Sequence, residues 1–337
     1  MNIAIIGAGA IGGVLAVRLA RAGHRVALVA RGDHLAAIRA RGLTLLHRDA
    51  AATVACAAAD DPGAFGPQDV VFITLKAPAI GPMLARLKPL LGADTVVVPA
   101  INGLPWWYFA REGGRFDGSA IACLDPDGAM LRAIDPRRIL GCVVHAAAEM
   151  PEPGTVRLTS ADAPLILGEL DNTGSARLAK LAEALQAAGL PTTVSTQIRT
   201  DIWTKLMGNL PFNPLGALTG LSMDRILAED RLVALVRVLM EETLAVGAAY
   251  GIAFPVGVEQ RIAIARKLGP IKASMLQDVE LGRPLEVEAI LGAAIELARR
   301  VGVPTPAMEP IYALLLGRDA ALRGASAAEP PALRAAN

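Results

Sequence analysis

The sequence predicts an α/β domain built on a parallel sheet, followed by an all-helical domain. Two observations carry that prediction. The chain sets Gly7-Ala8-Gly9-Ala10-Ile11-Gly12 between a short apolar run and an amphipathic one. From about Gln197 onward, strand-type runs almost vanish and long Ala/Leu/Glu/Arg-rich periodic stretches take over. On this reading the first domain covers 1–196 and the second 197–337, and a length of 337 residues suits two domains.

Asn2 to Ile6 is continuously apolar and rich in Ile, as a strand buried on both faces requires. Gly13 to Ala22 reads as a helix with Val14, Leu15, Leu19 and Ala20 on or near one face, closed by Gly23 as its C-cap. Arg25 to Ala30 is a second strand, which completes a βαβ unit of about 30 residues. The same grammar recurs in a strand at Asp69 to Leu75, a helix at Pro82 to Leu91, and a strand at Thr95 to Pro99 that leads to Asn102-Gly103. Strand-like pieces at Ser119 to Cys123, Arg138 to His145, Gly154 to Thr159 and Pro164 to Leu167 carry Pro-Gly punctuation, which suggests antiparallel additions at the sheet edge. Arg177 to Ala188 is an amphipathic helix capped by Gly189, and Thr192 to Ser195 is a last short strand. Helical stretches follow at 199–210, 229–249, 256–268, 285–301 and 307–316. The tail from Ala320 onward, containing Glu329-Pro330-Pro331, is expected to be poorly ordered.

Composition narrows the function classes. Hydrophobic residues make up 53% and charged ones 19%, enough for a large core and against global disorder. Aromatic content is only 4%, so Ala, Leu, Val and Ile fill the interior. A formal charge of +1 argues against a protein that coats nucleic acid, while leaving room for a local phosphate pocket. Cys56, Cys123 and Cys142 are too scattered for a disulfide framework or a metal site, and no His pair has ligand spacing. They read as reduced thiols packed as small hydrophobes in a cytoplasmic protein. No secretory signal or bilayer-spanning run is apparent. An apolar helical domain leaves room for a homodimer interface.

In a dinucleotide-binding loop the first glycine permits the tight turn, the second admits the pyrophosphate, and the third lets helix and strand pack closely. Gly7, Gly9 and Gly12 hold those three places, and the N–H groups that open the helix, with Ala8, Ala10 and Ile11 between the glycines, face the phosphates. At the end of the second strand an NAD site usually carries a carboxylate. Here Ala30 precedes Arg31, and the first acid is Asp33. A guanidinium in place of the carboxylate suits a 2′-phosphate, so the expected cofactor is NADP(H) with Arg31 on the phosphate. Lys76, just past a later strand, offers a second positive charge near the cofactor; the plainer alternative is an ordinary exposed lysine.

Lys205, Asn209 and Asn213 are four apart, which lines them along one face of a helix. Asn is a mediocre helix former, so two of them beside a lysine suggest polar ligands. Lysine suits protonation of a forming alkoxide, because a partly desolvated ammonium holds a transferable proton and stabilises negative charge on oxygen. Pro211 is expected to kink the helix between the asparagines, and Asn213, before Pro214, to sit at the helix end.

With these residues in view, the chain resembles the ketopantoate reductase family over roughly residues 1–316. The resemblance rests on Gly7-x-Gly-x-x-Gly12, Arg31, Leu75-Lys76, Asn102-Gly103, Ile198-Arg199-x-x-x-Trp203-x-Lys205, Asn209, Asn213-Pro214, Ser274-Met275-Leu276-Gln277-Asp278 and Glu286. It implies a Rossmann domain joined to a helical domain, and NADPH-dependent reduction of 2-dehydropantoate to (R)-pantoate. By the same resemblance Lys205 is the general acid, and Glu286 holds the substrate hydroxyl. Ser274 takes the substrate carboxylate, and Asn209 and Asn213 are further substrate contacts. Asn102 lies beside nicotinamide and substrate, while Asp278 reads as organising the site or pairing a base, not as reacting directly.

One departure is Leu104-Pro105-Trp106-Trp107-Tyr108, a bulky apolar run after Asn102-Gly103. If either Trp lined the site, the substrate would be larger or more apolar; the reading favours packing beneath the loop. His145, among alanines on an expected strand, reads as a buried, hydrogen-bonded histidine. Two alternatives stand beside the main expectation: a related reductase of another 2-keto acid, and an NADP(H)-binding sensor without catalysis.

Overall fold

The computed structural model describes residues 1–328, with side chains described to residue 324. Among the described residues, contacts divide the chain into two units: residues 1–120 with 125–201, and residues 121–124 with those from 202 onward.

In the first unit, strand β1 (Asn2–Ile6) is fully buried from Ile3 to Ile6, as its unbroken apolar run requires. Helix α1 (Ala10–Arg21) leads to β2 (Arg25–Val29), then come α2 (Gly32–Arg41), β3 (Leu43–His47), β4 (Ala50–Val54) and β5 (Ala57–Ala59). Strand β6 (Gln68–Ile73), α3 (Ala77–Leu84) and β7 (Leu91–Pro99) follow. The five-stranded sheet has the order β5-β2-β1-β6-β7, with every pairing parallel. Its register aligns Val29 with Ile6, Ile6 with Ile73, and Ile73 with Pro99. The carboxyl ends of four strands therefore form one row, and the chain leaves β1 at the point where the strand order reverses. That is where an open parallel sheet binds its ligand.

The rest of the unit comprises α4 (Ala129–Ala133), β8 (Leu140–Val144), β9 (Ala148–Glu152), β10 (Thr155–Leu158), β11 (Leu165–Glu169), α5 (Ala176–Ala187) and β12 (Thr192–Ser195). The expected antiparallel additions to the main sheet are instead two smaller mixed sheets, β4-β3-β10-β9 and β12-β11-β8. Strand β10 runs parallel to β3 and β11 parallel to β12, pairings that link residues more than a hundred positions apart in one case. The helix expected at Pro82 to Leu91 is instead Ala77–Leu84, with β7 starting at Leu91; Pro78 suits its first turn, where no N–H is needed. Ser119 to Cys123 is not a strand: the chain is irregular over 119–121 and turns at 122–124. His145 is exposed, one residue past β8, where its N–H bonds the Pro164 carbonyl (2.9 Å); it is not the buried histidine expected.

Helix α6 (Ile198–Thr219) spans the boundary between the units. The second unit then holds α7 (Met223–Ile226), α8 (Asp230–Ala249), α9 (Val258–Lys267), α10 (Ser274–Glu280), α11 (Ala293–Val301) and α12 (Met308–Ala328), with a π-helical turn at Glu288–Gly292 leading into α11. Trp203 and Phe254 meet edge to face in its core, with ring centroids 6.5 Å apart. Buried Glu242 accepts hydrogen bonds from the Ala307 (2.7 Å) and Met308 (2.9 Å) N–H groups, fixing the start of α12. Helix α12 continues through Ala320, so that part of the tail is ordered; residues 329–337, including Glu329-Pro330-Pro331, lie outside the described residues. Among the described residues no helix is long and apolar enough to cross a membrane.

Candidate active site

In the first unit the glycine loop is made of backbone. The N–H groups of Gly7 and Ala8 both donate to the Val29 carbonyl, at 3.1 and 3.3 Å, which ties the turn after β1 to the end of β2. Gly7 has φ +101°, and a Cβ there would lie 2.8 Å from Leu75. A Cβ at Gly12 would lie 2.1 Å from the Gly7 carbonyl oxygen and 2.5 Å from Thr74 Oγ1, so the helix approaches its own preceding turn as closely as backbone allows. Thr74 reinforces this by donating to the Gly7 carbonyl (2.6 Å).

Gly9 is different: nothing lies within 4 Å of a Cβ built on it, and no side chain caps α1 from that position. The uncapped first-turn N–H groups of α1, at Ala10 to Gly12, and the open space at Gly9 fit the pyrophosphate of a dinucleotide. Arg31 is exposed at the N-cap of α2, two residues beyond the Val29 carbonyl that holds the loop. Lys76 is half-buried at the N-cap of α3, directly after Leu75, and Asn102 is half-buried three residues past β7. All three thus stand off the row of strand ends that carries the glycine loop.

Sequence reasoning missed His34. Its Nδ1 accepts from the Gly154 N–H (2.9 Å), so Nε2 carries the hydrogen and donates to the Ala8 carbonyl (2.6 Å). Burial lowers the pKa of this imidazole, which favours the neutral form that both bonds require. Only the Gly154 partner, 120 residues away, reveals the role, so no local signal could have found it.

Trp106 and Trp107 are 2% and 1% exposed. Trp107 and Ile198 crowd Gly141 so closely that a Cβ there would meet them at 2.9 and 2.6 Å, as packing beneath the loop predicts. Arg199 is buried too, and donates to three carbonyls: Tyr108 (2.8 Å), Leu170 (2.5 Å) and Ala110 (2.9 Å). All four residues belong to the first unit, so these bonds are internal to it.

In the second unit α6 carries Lys205 and Asn209, both half-buried, and buried Asn213. The helix runs on through Pro211 and Pro214 to Thr219, so Asn213 is not at a helix end as expected. Each proline removes one N–H, a small fraction of the bonds in 22 residues. The Asn213 side chain is engaged at both ends: Nδ2 donates to the Asn209 carbonyl (3.2 Å), while Oδ1 accepts from Ser274 Oγ (2.8 Å) and from the Met275 N–H (3.1 Å). Asn213 therefore fixes the first turn of α10, which carries half-buried Ser274 and buried Asp278.

Glu286 is buried, 6% exposed, just before the helical turn that leads into α11. The Leu285 N–H immediately before it donates to Asp319 Oδ1 (2.8 Å), and the π-helical turn begins two residues later. Single π turns inside helices recur at functional positions.

A glycine loop shaped for a dinucleotide, with a helix bearing a lysine and two asparagines in line, defines an NAD(P)-dependent oxidoreductase. Comparison with known proteins gives the family. The ketopantoate reductase PanE/ApbA model matches residues 3–112, and the C-terminal model of the same family matches residues 197–319. A 2-dehydropantoate 2-reductase of Mesorhizobium japonicum is 44% identical over 316 residues, covering 94% of this chain and 97% of the relative. A crystal structure of a candidate ketopantoate reductase from Ralstonia solanacearum MolK2 superposes with TM-score 0.90 at 40% identity, over 95% of this chain and 98% of that one. That of a 2-dehydropantoate 2-reductase from Geobacter metallireducens GS-15 superposes with TM-score 0.83 at 30% identity, over 94% and 99%. The chain belongs to the ketopantoate reductase family.

Proposed function

We propose that this protein is a cytoplasmic NADPH-dependent reductase that converts 2-dehydropantoate to (R)-pantoate. The observation that carries the reading is the linked set on two helices of the second unit: Lys205 and Asn209 in line, and Asn213 bonded to Ser274. Likeness to 2-dehydropantoate 2-reductases over nearly the whole chain supports the substrate.

The first unit's residues bind and orient. The N–H groups at the start of α1 take the pyrophosphate, and Arg31 pairs bidentately with the 2′-phosphate that distinguishes NADP(H) from NAD(H). Lys76 adds positive charge to the same anion, and Asn102 orients the nicotinamide end. The reduced nicotinamide, when bound, supplies the hydride that adds to the 2-keto carbon. Lys205 holds the proton that the keto oxygen takes up as its π bond becomes a C–H and an O–H bond, and its positive charge stabilises that oxygen as charge develops. Glu286 accepts a hydrogen bond from the substrate hydroxyl, and Asn209, Asn213 and Ser274 form the polar wall against which the acid lies.

The test is turnover of NADPH by the purified chain on a panel of 2-keto acids. The highest kcat/KM is expected on 2-dehydropantoate, with (R)-pantoate as product. Equal or faster turnover of larger acids would assign a different substrate, which the burial of both tryptophans disfavours. Nucleotide binding with no turnover of any 2-keto acid would leave a sensor.

A further inference from the structure

Arg261 of α9 lies across the helix that carries Lys205. A Cβ built on Gly208 would sit 1.9 Å from one terminal nitrogen of its guanidinium, 2.6 Å from Cζ and 2.7 Å from Nε. Gly208 is three residues after Lys205 and four after Thr204, so it continues their stripe along α6. Alanine would serve a helix interior better than glycine. What the missing methyl admits here is the guanidinium.

The charge itself is uncompensated. Nε is buried with no hydrogen-bond acceptor, and among the described residues no carboxylate pairs with the group. Burial lowers its pKa with no neighbouring charge opposing the shift. Arg261 is half-buried, and a guanidinium whose Nε is buried without an acceptor is open to completion by an anionic ligand. A 2-keto acid brings the needed anion, because its carboxylate is bonded directly to the keto carbon whose oxygen Lys205 protonates. Ser274, the residue expected to hold that carboxylate, donates its one hydroxyl hydrogen to Asn213 Oδ1 (2.8 Å). It is therefore already committed as a donor.

We propose that Arg261, seated on Gly208, is a specificity-determining residue that receives the carboxylate of the 2-keto acid. The proposal rests on the reductase reading above. Gly208 is then a positioning residue, there to keep the seat open.

Steady-state kinetics of Arg261→Met and Gly208→Ala test it, with the keto acid and its neutral methyl ester as paired substrates. Both variants should raise KM for the acid at least about tenfold, the loss of one charge-assisted contact. KM for NADPH should hold, and kcat should stay within about threefold. The preference for acid over ester should fall about tenfold, which a packing defect would not produce. Arg261→Lys should recover part of it. Gly208→Ala displaces only the end of a flexible side chain, so it reads the same contact even if Arg261→Met fails to fold. The two substitutions together should do no more than either alone. An unchanged KM for the acid, or equal losses on acid and ester, overturns the assignment while the reductase reading stands. If the unaltered chain reduces no 2-keto acid, both readings fall, and the activity assay alone tells the cases apart.

Discussion

The two units handle their functional groups in opposite ways. The first presents backbone: its loop is shaped by Gly7, Gly9 and Gly12, and the side chains nearby either hold the loop, as Thr74 and His34 do, or stand at strand ends, as Arg31 does. The second presents side chains on and beside helices, and neighbouring side chains hold parts of that set, as Asn213 holds Ser274 and Asp319 holds the residue before Glu286. Substitutions in the first unit should therefore act on cofactor affinity and local folding. Those in the second should act on the chemical step and on substrate affinity.

The largest effect is expected at Gly12. Any side chain there meets the Gly7 carbonyl, which is backbone and cannot step aside. Gly12→Val should cost about 3 kcal/mol, lower the melting temperature by roughly 6–12 °C and abolish NADPH binding. A stable variant that still binds NADPH would show that the loop is not the cradle. Next is Arg31→Ala, which should weaken NADPH by about ten- to a hundredfold in a fluorescence titration and leave NADH nearly unchanged. Equal losses for both nucleotides would remove Arg31 from the 2′-phosphate.

On the other side of the comparison, Asn213→Leu strands the Ser274 hydroxyl and the Met275 N–H. It should cost about 1–3 kcal/mol in denaturant unfolding and raise KM for the keto acid without changing NADPH affinity. A change confined to NADPH would reverse the division of labour. The smallest effect is at His34. Burial holds its pKa below the usual value of 6.5, so the unfolded chain binds more protons in mild acid. The stability that neutral His34 contributes is thus complete above pH 6.5 and is lost as pH falls through the folded-state value. Urea midpoints at pH 7.5 and 5.5 should move less in His34→Asn than in the parent chain, by under one proton's worth. An identical pH dependence would mean that the imidazole does not sense folding.

The same contrast decides what the sequence made legible. The glycine loop and its strand could be read because the turn imposes its own residue types within six positions. Lys205, Asn209 and Asn213 could be read because helical spacing aligns them. The continuation of α6 past Pro211 could not, since what holds that stretch comes from Ser274 and Met275, sixty positions away. The segment 32–59 also escaped: β3 finds its parallel partner in β10, beyond Gly154, and its alternation is weak. His34 and Arg261 were invisible for the same reason, because each has meaning only through a contact made in three dimensions.

The proposed reduction depends on the lysine of α6 delivering the proton. Single-turnover oxidation of NADPH by Lys205→Ala, mixed with saturating 2-dehydropantoate, tests it most directly when paired with an NADPH titration of the same variant. The dissociation constant should be unchanged and the rate at least about a hundredfold slower. A rate equal to that of the parent chain would contradict it.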